Sequence, residues 1–62
     1  MHYDNESKNR IIIYSGRIAN ALLAKGYQMV QVRPDRRNKI KSVFVFRADA
    51  GIEDELFQMI NL

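Results

Sequence analysis

Apolar residues along this chain change their spacing three times, and each change marks a new element. Arg10-Ile11-Ile12-Ile13-Tyr14 is a short β-branched and aromatic run, the composition of a covered strand. From Arg17 the spacing turns helical. Ile18, Ala21, Leu22 and Lys25 recur at i, i+3, i+4 and i+7, with Ala19, Leu23 and Ala24 widening the apolar side. Ser15 stands where an N-cap hydroxyl can take an orphan N–H, and Gly26 where a left-handed residue can stop the helix. Two β-prone runs follow, Tyr27 to Arg33 and Lys41 to Arg47, separated by a polar segment that opens with Pro34-Asp35. They predict a β-hairpin. Ile52, Leu56, Met59 and Ile60 then return to helical spacing behind Asp49, the expected N-cap.

Strands are therefore expected near 10–14, 27–33 and 41–47, and helices near 16–25 and 50–61. Residues 1–9 show no hydrophobic period, and a flexible N-terminus is expected there, ahead of one small domain over 10–62. The fold class is α+β, a two-layer β-α-β-β-α arrangement. Its sheet is a three-stranded antiparallel sheet in order 1-3-2, with both helices on one face. The last strand has the fullest apolar alternation, which suits the centre. A sheet in order 1-2-3, with a right-handed crossover between its first two strands, is the alternative.

Two helices cover one face of such a sheet, yet each strand is apolar on both. Phe44 and Phe46 are expected against the helices. Ile12, Val43 and Val45 are left as a dimer face, meeting the twin sheet of a homodimer, because large apolar patches are seldom left open. The other solution is a monomer that shields this face with Tyr14, Tyr27 and long Arg or Lys stems.

Composition narrows the chemistry. The 62 residues contain no Cys and one His, so no disulfide framework or thiolate metal site is available. His2 lies in the polar N-terminus with no second imidazole to share a metal. Ser7, Ser15 and Ser42 have no evident base, and Gly16, Gly26 and Gly51 stand singly rather than in a phosphate loop. Glu53, Asp54 and Glu55 point in different directions on a helix and suit its positive end. No enzymatic activity and no cofactor are expected. No apolar run approaches the length of a membrane helix and no signal peptide is evident, so a cytoplasmic protein away from membranes is expected.

Charge changes the picture more. The net charge is +3, but its distribution is uneven. Residues 31–47 hold Arg33, Arg36, Arg37, Lys39, Lys41 and Arg47 against Asp35 alone, while residues 48–62 hold four acids and no base. Arg33, Arg36, Arg37, Lys39 and Lys41 gather around one turn. Clustered cations of this kind neutralise phosphates and release counterions, so DNA or RNA is one expected partner. A host or phage protein with an acidic surface is the other. The plain alternative is a solubilising tip whose lysines guard a strand edge.

The run from Ser15-Gly-Arg-Ile-Ala-Asn-Ala-Leu-Leu-Ala-Lys-Gly-Tyr through Val-Arg-Pro-Asp-Arg-Arg-Asn to Val43-Phe-Val-Phe resembles an uncharacterised family of very small bacteriophage and Gram-positive bacterial proteins. The likeness spans about residues 11–60. Here Arg47 and Ala48 intervene before Asp49, where that family often places an acid directly after the last Phe. The resemblance implies a phage or mobile-element accessory protein, of a kind that regulates DNA transactions or blocks host machinery. It implies no catalytic or cofactor residues.

Overall fold

The computed structural model describes residues 3–60. Met1, His2, Asn61 and Leu62 lie outside the described residues, and with them the reading of His2 as a solvated terminal residue and the expected helix end at 61. Six elements follow in order: strand β1 (Tyr3–Ser7), strand β2 (Arg10–Ile13), helix α1 (Gly16–Ala24), strand β3 (Met29–Pro34), strand β4 (Ser42–Arg47) and helix α2 (Ile52–Ile60). The fold is α+β with an antiparallel sheet, but the sheet has four strands rather than three, in order β1-β2-β4-β3. Within it, the three expected strands keep the expected order, with β4 between β2 and β3.

The additional strand comes from the segment expected to be a loose terminus. β1 pairs with β2 at Tyr3↔Ile13, Asp4↔Ile12 and Asn5↔Ile11, then slips by a residue to Ser7↔Arg10. A two-residue turn at Lys8-Asn9 joins them, and the Asn9 backbone N–H donates to Ser7 Oγ at 3.4 Å. Four of its five residues are exposed and polar, so β1 has no apolar alternation to announce it. What holds it is backbone pairing and Tyr3, which packs against the core. Covering the outer edge of β2 with a polar strand also leaves the sheet with a charged edge, which resists pairing with other chains.

Alternation along the strands fixes the two faces. Ile11 and Ile13 of β2 and Phe46 of β4 join Ile18, Ala19 and Leu22 of α1 and Ile52 and Leu56 of α2 in one buried cluster, and Phe44 packs against it. Both helices therefore cover the same face, the one carrying Phe44 and Phe46. Ile12 and Val45, paired across β2 and β4, lie on the other, with Val43 two residues along.

The ends of α1 follow its sequence. Ser15 is the N-cap, in extended backbone, and its Oγ accepts from Ile18 N–H. At the other end Gly26 takes φ 95°, with Gly26 N–H donating to Leu23 O and Tyr27 N–H to Leu22 O, the paired bonds of a Schellman stop. Lys25, expected in the last turn, is instead the C-cap just beyond it, and reaches Glu55 of α2 at 3.0 Å, tying the helices together. α2 departs from expectation at its start. Gly51 has φ 89°, a conformation no right-handed helix contains, so the helix begins only at Ile52. Asp49 does not act as its side-chain cap; its carboxylate pairs with Arg47 Nε at 2.8 Å. No helix among the described residues is long and apolar enough to cross a membrane.

Candidate functional site

Pro34 ends β3 at the sheet edge, where its missing N–H removes no ladder bond, and Asp35 opens the connection to β4. The loop 35–41 is held by its own polar groups. Asp35 Oδ1 accepts the Arg37 N–H at 2.8 Å, and Asn38 Oδ1 accepts the Ile40 N–H at 3.2 Å. Asp35 N–H donates to Lys41 O, and Lys41 N–H donates to Asn38 O, both at 2.9 Å. Short Asx side chains thus supply the partners that the backbone would otherwise seek in water. The basic residues are carried on a defined turn rather than on a loose tip.

The structure divides the five expected contact residues. Arg36, Arg37, Lys39 and Lys41 are exposed on the loop, and none of them makes an ion pair among the described residues. Arg33 belongs elsewhere. It lies on β3, on the face away from the helices, where Nη2 meets Glu6 Oε1 at 2.8 Å and Nε donates to Gln31 Oε1 at 2.8 Å. Grouping it with the tip follows its place in the chain, but its side chain is committed to β1 across the sheet.

Of the expected dimer face, Val43 and Val45 are buried within the single chain and Ile12 is half-buried. Val45 is 0% exposed and Val43 7%, although no helix covers their side of the sheet. On this face Val45 is paired with Gln31 and Val43 with Arg33, and Arg33 reaches on to Glu6 of β1. Burying these valines needs no second copy. Of the side chains expected to shield this face, Tyr27 instead packs against the helix-side core.

Ile12 and Val43 are among the residues lining an open hollow of about 680 Å³ at the loop end of this face. Asp4 and Glu6 line it from β1, and Arg36 and Arg37 from the loop. Tyr14, 40% exposed just beyond β2, lines it as well. The charges are sorted by their engagements. Glu6 is paired with Arg33, and Asp35 is used by the loop backbone, whereas the side chains of Asp4, Arg36 and Arg37 make no hydrogen bond or ion pair among the described residues. Sequence reasoning missed Asp4 and Glu6 as site residues because they lie on a strand that it did not foresee. Tyr14 was visible only as a shield. Ile40, between Lys39 and Lys41, was passed over and is 92% exposed at the loop.

Comparison of the chain with protein-family models, with curated proteins and with solved structures finds no match in any of the three.

Proposed function

We propose that this protein binds nucleic acid through the basic β3–β4 loop, with Arg36, Arg37, Lys39 and Lys41 contacting phosphates. The observation that carries the reading is four exposed cations, without ion pairs among the described residues, on a turn ordered by Asp35 and Asn38. A cation already paired must give up its partner before it can meet a phosphate; these need not. An ordered turn also loses less conformational entropy on binding than a loose one. Arg33 is not counted among the contacts, since Glu6 already neutralises it. The phage or mobile-element context suggested by the sequence resemblance fits a small accessory protein of this kind, and no catalytic role is included in the proposal.

Fluorescence anisotropy at low salt tests it, with labelled duplex DNA, single-stranded DNA and RNA titrated to tens of micromolar protein. Binding is expected, and Arg36→Ala with Arg37→Ala should weaken it to a similar degree across sequences, since phosphate contacts carry no sequence information. No binding to any probe refutes the reading and leaves a protein partner with an acidic surface as the function of the loop.

A further inference from the structure

We infer that the hollow beside the loop is a seat for one unpaired, amino-bearing base of a single strand, stacked on Tyr14. The inference rests on the loop's reading as a phosphate contact and adds what the neighbouring surface recognises. Phosphate binding alone would favour any polyanion. The loop, however, adjoins a hollow that contains an exposed aromatic ring, an apolar lining residue and one uncommitted carboxylate.

Each part matches one part of a nucleotide. Tyr14 offers a ring that is neither in the core cluster nor fully covered. Every base has a π-face, and stacking on an aromatic side chain is the sequence-tolerant element of single-strand binding. Ile12, half-buried on this face, gives the base an apolar surface to lie against. Arg36 and Arg37 line the same hollow from the loop side, where the phosphates flanking a seated base would lie. Asp4 enters from β1, directly opposite Ile12 in the pairing. Its carboxylate only accepts, so it favours a base with an exocyclic amino group, cytosine, adenine or guanine, over thymine or uracil. At about 680 Å³ the hollow is within the roughly 300–1,000 Å³ of small-ligand sites. It is open enough for a strand to pass rather than for a free ligand to be enclosed. In a duplex the base is stacked and paired inside the helix and cannot reach the hollow.

The test uses the full chain and three 12-nucleotide probes in fluorescence anisotropy: oligo(dC), oligo(dT) and a mixed-sequence duplex. Wild-type protein is expected to bind oligo(dC) tighter than oligo(dT), and either tighter than the duplex. Tyr14→Ala should weaken single-strand binding about tenfold, the scale of one lost stacking contact, and leave duplex binding unchanged. Tyr14→Phe keeps the ring and should keep the affinity, which separates stacking from any effect on folding. Asp4→Ala should erase the preference for oligo(dC) over oligo(dT). Single-strand binding that is indifferent to Tyr14→Ala, or a duplex bound as tightly as oligo(dC), overturns the inference while the loop's role stands. No binding to any of the three probes overturns both.

Discussion

Replacing Arg33 by Ala should destabilise this protein more than its partial exposure suggests. Its side chain is about one-third exposed, and an ion pair at such a site contributes about 0.5 kcal/mol, little more than a surface pair. The larger share comes from the stem. Arg33 is paired with Val43 on a face no helix covers, and its contacts with Gln31 and Glu6 lie on that face. If truncation returns about 60 Å² of valine surface to water, the loss at ~25 cal/mol per Å² is about 1.5 kcal/mol. The total for Arg33→Ala is then about 2 kcal/mol, or a fall in Tm of about 8–16 °C for a domain of this size. Arg33→Met keeps an apolar stem without the charge and should cost only about 0.5 kcal/mol, as should Glu6→Gln. Urea unfolding followed by circular dichroism measures all three. Equal losses for Arg33→Ala and Arg33→Met would refute the reasoning, because the stem would then contribute nothing beyond the charge.

Gly26→Ala and Gly51→Ala should each lower stability by about 1 kcal/mol, since both glycines hold positive φ. The Gly51 variant should lose more, because its new Cβ would lie 3.3 Å from Tyr27 Oη while that of Gly26 meets nothing; thermal melts with and without Tyr27→Phe measure the difference. Phe46→Ala empties the centre of the core at a cost of about 3–5 kcal/mol. A 62-residue chain has a total stability of about 3–9 kcal/mol, so the variant loses a large share of it and its Tm should fall by at least about 12 °C; an unchanged melt would contradict the assigned core. Deleting residues 1–8 removes β1, with Tyr3 and Glu6, and should lower Tm by about 10 °C; an unchanged Tm would show that β1 adds nothing to the sheet.

What was legible in the sequence is what local physics decides. α1 could be placed because Ser15, the Ile18–Leu22 stripe and Gly26 act within a few residues of one another. The central place of β4 followed from its alternation, since a strand covered on both faces must be apolar on both. β1 was not legible for the opposite reason. An edge strand with one face in water needs few apolar residues, and only Tyr3 of β1 packs on the core. The start of α2 was misjudged because a helix-forming pattern does not reveal that Gly51 holds positive φ or that Arg47 takes the Asp49 carboxylate. In the candidate site, the basic cluster was plain from composition. The separation of Arg33 from it was not, because Glu6 lies 27 positions earlier, on a strand with no hydrophobic signature. Tyr14 and Asp4 come together only once β1 is paired with β2, so the hollow could not be read before the sheet was complete.

The central claim is that unpaired loop cations meet phosphates, and the salt dependence of binding tests it most directly. The affinity for a single-stranded probe, measured by anisotropy at several salt concentrations, should fall linearly on a log–log plot, with a slope of about −0.7 per phosphate neutralised. Replacing both Arg36 and Arg37 by Ala removes two such contacts and should make that slope shallower by about 1.4. A slope that is the same in the wild type and the double variant would contradict the account.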